Sequence, residues 1–324
     1  MRLLRRFRPR RQRPVILMYH RIATPRRDPW ALSVCPDRFR EHLAVLRERR
    51  TPMAMTALVR ALDQGDVPAD AVAVTFDDGY LDNLAIAKPL LEAAGVPATI
   101  YLATGWIGSC QPFWWDELEA MLFRPELARL SITVAGERVA IELPRETKLE
   151  PYGWRFGKRA RTARQKAYVR LWTDLYKMTP GERAAVMDEL RRTIPPEMLN
   201  PEALPMDAAQ AARLASPLVA IGAHGVTHAA MTTLPPDARR AEIEESGHDA
   251  ARLTNAPVAG FAYPHGDHDR QTRAMVREAG YCYACTTYAA AIDPARYDRF
   301  ELPRLMVENW TAEELIARME ALPA

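Results

Sequence analysis

Short apolar runs alternate along this chain with longer segments in which apolar residues recur every three or four positions. The apolar runs predict buried β-strands at VILMY (15–19), AVAVTF (71–76), ATIYLA (98–103), LVAIGA (218–223), VAGFAY (258–263) and YCYACTT (281–287). Strands that alternate with helical segments are typical of α/β proteins. The pattern therefore predicts a largely parallel sheet or barrel with helices packed around it.

The segments with helical periodicity lie between these runs. They predict helices at 36–49, 81–95, 236–253 and 269–280. The first segment begins with Pro36 and Asp37, which favour the start of a helix. Its residues Phe39, Leu43 and Leu46 lie on one helical face, as expected for a helix that covers a sheet.

The region 124–206 interrupts the alternation. Around Gly136 the sequence LSITVAGERVAIEL alternates apolar and polar residues, which predicts a hairpin. Between Arg155 and Arg170 there are seven lysine or arginine residues and no acidic residue. We interpret 124–206 as an inserted α+β segment that serves as a lid or substrate platform. The basic run is either a solvated helix face or a surface that holds an anionic part of a substrate, such as a lipid diphosphate.

The composition is that of an ordinary globular protein, with 48% apolar and 26% charged residues. The net charge of +3 is unevenly distributed, because residues 1–13 carry seven arginines and no acidic residue. We predict a basic tail at 1–13 and a single domain at 14–324. A solvated terminus is the plainer interpretation of the tail. Contact with anionic lipid, nucleic acid or an acidic glycan is the alternative.

The expected compartment is the cytoplasm, with peripheral contact of the tail at a membrane surface left open. No apolar stretch long enough for a signal peptide or a membrane span follows the tail. The four cysteines, Cys35, Cys110, Cys282 and Cys285, are too few and too scattered for a disulfide scaffold. The CxxC pair lies in an apolar run, so we predict that it packs in a buried strand and has no redox role.

Two short motifs follow predicted strands, at the strand ends where α/β proteins build their sites. In VTFDDGY, two adjacent carboxylates, Asp77 and Asp78, come directly after an apolar run. A turn would explain them, but a divalent cation would also relieve their repulsion. In IGAHGVTH, His224 and His228 stand four residues apart, and a helical turn would point both imidazoles the same way. Two histidines and one carboxylate form the three-ligand set of a catalytic metal site.

These motifs resemble those of the polysaccharide deacetylases, the NodB-type carbohydrate esterases of family 4. The resemblance covers roughly 14–123 and 207–310, and it implies a distorted (β/α) barrel with the 124–206 segment inserted. It also implies that Asp77 is the general base. The metal ligands by resemblance are Asp78, His224 and His228, and the implied cofactor is a divalent metal. Zn²⁺ is favoured, with Co²⁺, Ni²⁺ and Mn²⁺ as alternatives.

Three positions depart from the family pattern. Gly225 stands where Ser or Thr is usual, so we expect the loss of a hydrogen bond behind the metal ligands. In AYPHG, Ala262 replaces an arginine that steadies the catalytic aspartate, and Arg304 in ELPRLM is our candidate substitute. His265 replaces a tyrosine whose backbone N–H is an oxyanion donor. Any residue except proline keeps that N–H.

The family's late Leu-x-His motif, which supplies the general acid, is missing from the C-terminal part. The last histidine is His268, whereas VILMYHRI places His20 at the end of the first predicted strand. We therefore identify the chain as a member of a circularly permuted subgroup, with His20 as the acid. A buried core histidine is the alternative. Closing a barrel makes the first and last strands neighbours, so the permutation requires little geometric change.

The predicted reaction is metal-assisted hydrolysis of an N-acetyl group on an amino sugar. The expected partner is an acetylated amino-sugar glycan or a lipid-linked sugar, and no nucleic acid is expected. The alternatives are an O-acetyl carbohydrate esterase and a catalytically silent module that binds metal or glycan. The presence of Asp77 favours an enzyme, because a binding module has no use for a base beside its metal ligand.

Overall fold

The structure is a computed structural model that describes residues 12–124, 127–134, 136–144, 154–193 and 203–323. Nearly all of the predicted basic tail, residues 1–11, lies outside the described residues. Within the described ranges, no helix is both long enough and apolar enough to cross a membrane.

A mostly parallel sheet forms the centre of the molecule. Its eight strands are β1 (Val15–Tyr19), β4 (Thr51–Pro52), β5 (Ala71–Phe76), β6 (Ala98–Leu102), β9 (Val219–Ala223), β10 (Val258–Ala262), β11 (Tyr283–Cys285) and β12 (Leu305–Met306). The spatial order is β11-β10-β9-β6-β5-β1-β12, with β4 paired to β5, and every pair is parallel. The predicted strands are all present, and their ends differ from prediction by at most two residues. Their nearly continuous burial follows from helices that cover the parallel sheet.

The sheet curls until its two ends approach each other. Leu302 forms a bridge with Cys285 of β11, and three residues later β12 pairs with Leu17 and Met18 of β1. One short stretch of chain, 302–306, thus contacts both ends of the sheet. This curled parallel sheet is the predicted distorted barrel of the NodB type. The N-terminal strand β1 lies between β5 and β12, but the circular permutation itself stays a prediction.

Helices surround the sheet. They are α1 (Pro36–Arg49), α2 (Met55–Gln64), α3 (Lys88–Ala94), α4 (Trp114–Leu122), α5 (Ala163–Tyr176), α6 (Pro180–Thr193), α7 (Ala208–Ala211), α8 (Pro236–Thr254), α9 (Arg270–Glu278) and α10 (Ala312–Ala321). A two-stranded sheet of β2 (Arg21–Ile22) and β3 (Ser33–Val34) lies near the start of the chain. The prediction of one helix over 81–95 was wrong in part. Residues Asn83–Ala87 form a π-helix, because Pro89 has no N–H to donate and the preceding Lys88 N–H bonds to the carbonyl of Asn83.

The described part of the predicted insertion contains a hairpin and two helices. Strands β7 (Arg129–Val134) and β8 (Glu137–Glu142) pair in antiparallel register around the predicted turn at residue 136. Their apolar side chains join those of α4, α5 and α6 in one buried cluster, which also contains Tyr80 and Ala103 from the barrel. The insertion therefore shares its core with the barrel.

The predicted packing role of the CxxC pair holds for one of its two cysteines. All four cysteines are free; Cys282 is exposed and Cys285 is buried in β11. The Sγ of Cys285 lies 3.4 Å from the hydroxyl of Tyr101 inside the barrel. Burial raises the pKa of this thiol to about 11, so Cys285 is a poor nucleophile.

Because Gly222 has no side chain, the ring of Tyr101 fits beside it inside the barrel. Gly222 pairs with Tyr101 across β9 and β6, and a Cβ at position 222 would lie 2.1 Å from the tyrosine ring. Tyr101 is fully buried, and the guanidinium of Arg304 lies 5.6 Å from its ring centroid. The absence of a side chain at position 222 therefore allows the Tyr101 ring to take the position in which it contacts the guanidinium of Arg304.

We predict that Gly222→Ala destabilises the protein by roughly 1–3 kcal/mol, because the added methyl overlaps a ring that is surrounded by other buried groups. Gly181→Ala in α6 is the matched control, since a Cβ there meets nothing within 4 Å. It should be neutral or stabilising by about 0.5–1 kcal/mol. Denaturant unfolding of both variants measures the difference. Equal stabilities would show that Tyr101 moves freely and that the glycine is not required.

Candidate active site

The candidate residues meet at the carboxyl ends of the parallel strands. Tyr19 of β1 pairs with Phe76 of β5, so the next residues, His20 and Asp77, emerge side by side. Across β6 and β9, Leu102 pairs with Ala223, and the N–H of His224 donates to the carbonyl of Leu102 at 2.9 Å. Parallel register thus brings together residues more than 200 positions apart in sequence.

Asp78, His224 and His228 form a compact cluster of metal-binding groups. Asp78 Oδ1 lies 3.5 Å from Nε2 of His224 and 3.2 Å from Nε2 of His228. All three side chains are buried, and one ligand atom from each lies within 4.8 Å of the others. Among the described residues, Asp78 Oδ1 has no hydrogen-bond partner. A buried carboxylate oxygen without a donor, faced by two imidazole nitrogens, is a donor set that suits a divalent cation.

A hydrogen bond of Nδ1, the ring nitrogen of His224 that faces away from Asp78, fixes the orientation of this imidazole. Its Nδ1 donates a hydrogen bond to the carbonyl of Ala262 at 2.7 Å, which leaves Nε2 as the nitrogen directed at Asp78. Burial alone would lower the pKa of His224, but Asp77 and Asp78 outweigh burial and raise it. The same charges that attract a proton here would attract a metal cation.

The segment between the two histidines is a loop and not the helical turn that would also have pointed both imidazoles the same way. Gly225 and His228 have φ values of +70° and +56°, which a right-handed helical turn does not allow. The imidazoles converge nevertheless, because the carboxylate of Glu242 in α8 holds the loop. It accepts hydrogen bonds from the N–H of Val226 at 2.7 Å, and from the N–H and hydroxyl of Thr227 at 2.9 and 2.6 Å.

The absence of a side chain at Gly225 leaves space for the carboxylate of Glu242. A Cβ at this position would lie 3.0 Å from Oε2 of Glu242, in addition to the left-handed φ that disfavours side chains. In this chain the hydrogen bonds behind the histidines come from Glu242. A side chain at position 225 would disturb the carboxylate that provides them.

The buried guanidinium of Arg183 holds the other side of the loop between His224 and His228. The carbonyl of Thr227 accepts hydrogen bonds from Arg183 of α6 and from Nε1 of Trp106, both at 3.2 Å. Arg183 is 4% exposed, and its guanidinium lies 5.3 Å from the ring centroid of Trp114. The insertion therefore contributes directly to the position of the loop that carries His228.

The structure separates the two adjacent carboxylates. Asp77 forms a bidentate ion pair with Arg304, with both N–O distances at 2.7 Å and both side chains buried. Asp78 turns away from Arg304 towards the histidines, and its φ of +76° lies in the left-handed region. Burial would raise the pKa of Asp77, but Arg304 and then His224 outweigh burial and lower it. Asp77 is therefore ionised and available to accept a proton.

His20 lines the same cavity as Asp77 and Asp78. Its carbonyl accepts a hydrogen bond from the side chain of Asn83 at 2.8 Å, and its Nδ1 is buried without a partner among the described residues. Burial lowers the pKa of His20, while Asp78 and Asp77 act in the opposite direction. The imidazole thus belongs to the site and not to the apolar interior of the barrel.

His265 has its backbone in the left-handed region, with φ +58°, directly after Pro264. Its ring centroid lies 4.4 Å from that of His228 and 4.9 Å from that of Tyr176. Burial, and after it His228, hold the pKa of His265 well below its usual range. The side chain is therefore a neutral part of the wall.

The residues enclose a cavity of about 380 Å³. Its walls are largely aromatic and are supplied by three parts of the chain, namely Trp30 from the loop before β3, Trp115 from α4, and Trp172 and Tyr176 from α5. Trp172 and Tyr176 stack at 5.2 Å with an interplanar angle of 16°. Helix α5 of the insertion thus forms part of the cavity wall, while its predicted role as a substrate platform stays a prediction.

The basic run of the insertion lies elsewhere. Arg164 is buried and donates to the carbonyls of Leu122 and Leu127, so it holds the insertion together. Arg155 forms an ion pair with Glu308 on the surface. Among the described residues, none of the basic side chains of this run lines the cavity.

Sequence reasoning missed several residues of the site, among them Glu242, Arg183, Trp172 and Tyr176. Glu242 is one of several acidic residues in a charged helix, and Arg183 is one of many basic residues in the insertion. Neither has a local pattern that distinguishes it. The aromatic spacing of Trp172 and Tyr176, four residues apart, was the one available signal, and it is equally typical of a buried helix face.

Comparison with known proteins shows which family parts of the chain match. Residues 64–127 and 200–284 match the family model described as polysaccharide deacetylase, which leaves most of the inserted segment unmatched. YxkH of Bacillus subtilis, named as a polysaccharide deacetylase, is 35% identical over 98 residues. That match covers 29% of this chain and 33% of YxkH.

Two solved structures share the fold. The deacetylase PplD of Streptococcus pyogenes, solved in complex with acetate, has 19% identity and a TM-score of 0.55 over 95% of this chain and 98% of that chain. IcaB from Ammonifex degensii has 15% identity and a TM-score of 0.59 over 96% of this chain and 98% of that chain. The architecture around the site is thus that of known deacetylases. Two segments of the chain, together just under half of it, thus match the polysaccharide deacetylase family, and the fold is that of solved deacetylases.

Proposed function

We propose that this protein is a metal-dependent hydrolase that removes N-acetyl groups from an amino-sugar glycan or a lipid-linked sugar. The observation that carries the proposal is the separation of the two carboxylates at the end of β5. Asp78 faces two imidazoles in a cluster that suits a cation, while Asp77 is paired with Arg304 and ionised. Such a site would combine a metal-binding group with a base, and these two together can hydrolyse an unactivated amide.

The chain's metal ligands would be Asp78, His224 and His228. A divalent cation bound there would act as a Lewis acid on the acetyl carbonyl. Zn²⁺ fits two imidazoles and a carboxylate, as do Co²⁺, Ni²⁺ and Mn²⁺. The bond from His224 to Ala262 and the hydrogen bonds of Glu242 keep the two imidazoles in place before any cation binds.

Asp77 is the proposed general base. It removes a proton from the water molecule that attacks the acetyl carbon, and Arg304 holds its carboxylate in one orientation. The attack forms a C–O bond, and the C–N bond then breaks to release acetate. The backbone N–H of His265 is the proposed donor to the oxygen that becomes negatively charged.

His20 is the proposed general acid. The amine leaves with the bonding electrons of the C–N bond, so it must receive a proton, and His20 emerges beside Asp77 in the register of β1 and β5. Burial lowers the pKa of His20. The charges of Asp78 and Asp77 act in the opposite direction and favour the protonated imidazole that an acid needs. An ester substrate requires this proton much less, because an alkoxide is a better leaving group than an amine anion.

The direct test is acetate release from the metal-reconstituted protein. The substrates are N-acetylated amino sugars and O-acetylated sugars with the same ring. We expect metal-dependent acetate release from the N-acetylated set. Release from the O-acetylated set alone would make the protein an esterase. No release from either, with metal bound, would favour a module that binds glycan without catalysis.

The first prediction of this site concerns the two adjacent carboxylates. Asp77→Asn should bind metal with nearly unchanged stoichiometry and lower deacetylation by about 100-fold or more, because only the base is lost. Asp78→Asn should lose metal as well as activity, because a ligand is lost. Metal content by elemental analysis and acetate release measure the two effects. If both variants lost metal equally, the separate roles would be wrong.

The second prediction concerns the leaving group. His20→Ala should lower hydrolysis of an N-acetyl sugar by about 100- to 10,000-fold and hydrolysis of an activated aryl acetate far less, because only the amine needs the proton. The ratio of the two kcat/KM values is the measurement. Equal losses on both substrates would indicate that His20 has a structural role.

The third prediction concerns the loop between the histidines. Glu242→Gln should weaken metal binding by about 10- to 100-fold, because an amide group replaces one of the acceptors that orient Val226 and Thr227. Glu244→Gln in the same helix is the control, since Glu244 forms a surface ion pair with Arg240. Competition with a chelator measures the affinity. Equal affinities in the two variants would refute the role of Glu242.

A further inference from the structure

A separate cavity, which we call the α6 cavity, lies on the other side of the loop that carries His228. It has a volume of about 280 Å³ and lies between α6 of the insertion and residues 105–114. Thr227 is part of its wall, whereas His228 lines the cavity around Asp78, so the loop lies between the two cavities. Among the described residues, the two cavities have no lining residue in common. None of the groups assigned to hydrolysis therefore lies in this wall.

The α6 cavity contains a positive charge without a partner of opposite sign. Its described lining includes two arginines, Arg183 and Arg191, and no acidic residue. Arg191 donates to both carboxylate oxygens of Glu117 at 2.7 and 2.6 Å, so its charge is balanced. Arg183 donates to the carbonyl of Thr227, which is neutral, and the nearby carboxylate of Glu242 already accepts from the loop. An anion in this cavity would therefore meet one guanidinium that is ready to pair with it.

Two buried donors of the wall lack an acceptor. Nη1 of Arg183 and Nε1 of Trp114 are buried, and neither has a hydrogen-bond partner within the part of the chain that the structure describes. The guanidinium carbon of Arg183 lies 5.3 Å from the centroid of the Trp114 ring, so the two donors belong to neighbouring side chains. A buried N–H group without an acceptor is costly, and most such groups in proteins are satisfied. The two N–H groups therefore indicate a ligand that supplies acceptor oxygens.

Arg183 stays charged at neutral pH in spite of its burial. Burial lowers its pKa to about 10, while the charge of Glu242 acts in the opposite direction. A buried charge is stabilised by a partner of opposite sign and by hydrogen bonds. An anion that accepts a hydrogen bond from Nη1 would provide both.

The rest of the α6 cavity is largely apolar. Its apolar lining consists of Trp106, Trp114, Pro180, Ala184 and Met187. Such a wall favours a ligand with an apolar body. Inorganic phosphate has no apolar body, and it brings more oxygens than two donors can satisfy. Acetate has a suitable charged group but is much smaller than the cavity. The chemistry of the wall thus favours a carboxylate that carries an aromatic or aliphatic group.

From these contacts we infer that the α6 cavity binds a monocarboxylate with an apolar body, and that the bound ligand strengthens the metal site. The carboxylate accepts from Nη1 of Arg183 and Nε1 of Trp114. Nη2 of Arg183 stays bonded to the carbonyl of Thr227, the residue before His228. A ligand that holds Arg183 therefore restrains the loop in the position in which His228 faces Asp78. The coupling rests on the proposed metal site, whereas the binding of the carboxylate does not.

Calorimetry tests the binding of the carboxylate. The full chain, both metal-free and metal-loaded, is titrated with phenylacetate, phenylacetamide, acetate and inorganic phosphate. We expect phenylacetate to bind about 10-fold or more tightly than each of the other three, because it alone combines the negative charge with an apolar group. Equal affinities of phenylacetate and phenylacetamide, tightest binding of acetate or phosphate, or no binding at all would overturn the inference.

A steric variant locates the site. Ala184 and Ala185 are both exposed residues of α6, and only Ala184 lines the α6 cavity. Ala184→Leu should weaken phenylacetate binding by about 10-fold or more, because the leucine takes up part of the cavity while Arg183 is kept. Ala185→Leu is the matched control and should leave the affinity unchanged, and both substitutions suit a helix. Equal affinities in the two variants would refute the site.

A second pair of variants tests the charge. Arg183→Met removes the guanidinium and should abolish measurable phenylacetate binding. Arg192→Met removes one positive charge at an exposed position of the same helix, outside the cavity, and should leave binding unchanged. Equal losses in the two variants would show that the net charge, and not the cavity, attracts the carboxylate.

Competition with a chelator tests the coupling to the metal site. Saturating phenylacetate should tighten metal binding by about fivefold or more in the wild type and in Ala185→Leu, and should have no effect in Ala184→Leu. An equal effect in Ala184→Leu, or an unchanged metal affinity in the wild type, would refute the coupling. Acetate release from sugars is measured separately. If phenylacetate binds as expected and no acetate is released, the carboxylate site stands and the proposed hydrolysis fails.

Discussion

The buried ion pair between Asp77 and Arg304 is the interaction on which the rest of the site depends. Arg304 is fully buried, and two of its nitrogens bond to the two oxygens of Asp77, while its Nε donates to the carbonyl of Thr286. A buried charge is tolerated only when it is paired and hydrogen-bonded, and removing either partner typically costs about 3–5 kcal/mol. The pair joins the end of β5 to the segment that closes the sheet. Closure of the sheet and the ionised state of Asp77 therefore depend on the same contact.

The same pair explains why two aspartates stand side by side. Because Asp77 is neutralised by Arg304, its neighbour Asp78 does not meet an uncompensated anion and can turn towards the histidines. The positive φ of Asp78 is the backbone consequence of sending adjacent side chains in different directions. The substitute arginine lies far along the chain from Ala262, where the family has its own. What the site requires is a guanidinium at this point in space, and the curled sheet allows different strands to supply it.

The strands and the motif residues follow from local signals, and these were predicted. Continuous apolar runs identify parallel strands, and polar residues directly after them identify the functional edge of the sheet. The loop at 224–228 was not predicted, because its shape is set by Glu242 of another element and by a left-handed Gly225. The π-helix at Asn83–Ala87 was not predicted, because one additional residue in a helical turn hardly changes the spacing of apolar residues. Long-range contacts, such as the hydrogen bond from Arg183 to the carbonyl of Thr227, cannot be predicted from the spacing of neighbouring residues in the sequence.

The inserted segment packs into the barrel and forms part of the candidate site. Its core is continuous with that of the barrel, and Trp172 and Tyr176 line the cavity from one helix face. From the next helix, Arg183 holds the loop that carries His228. A lid that opens widely would have to break this buried contact and expose the shared core, at a free-energy cost that rises with the apolar area uncovered. The contacts of the insertion therefore favour a fixed wall over a mobile lid.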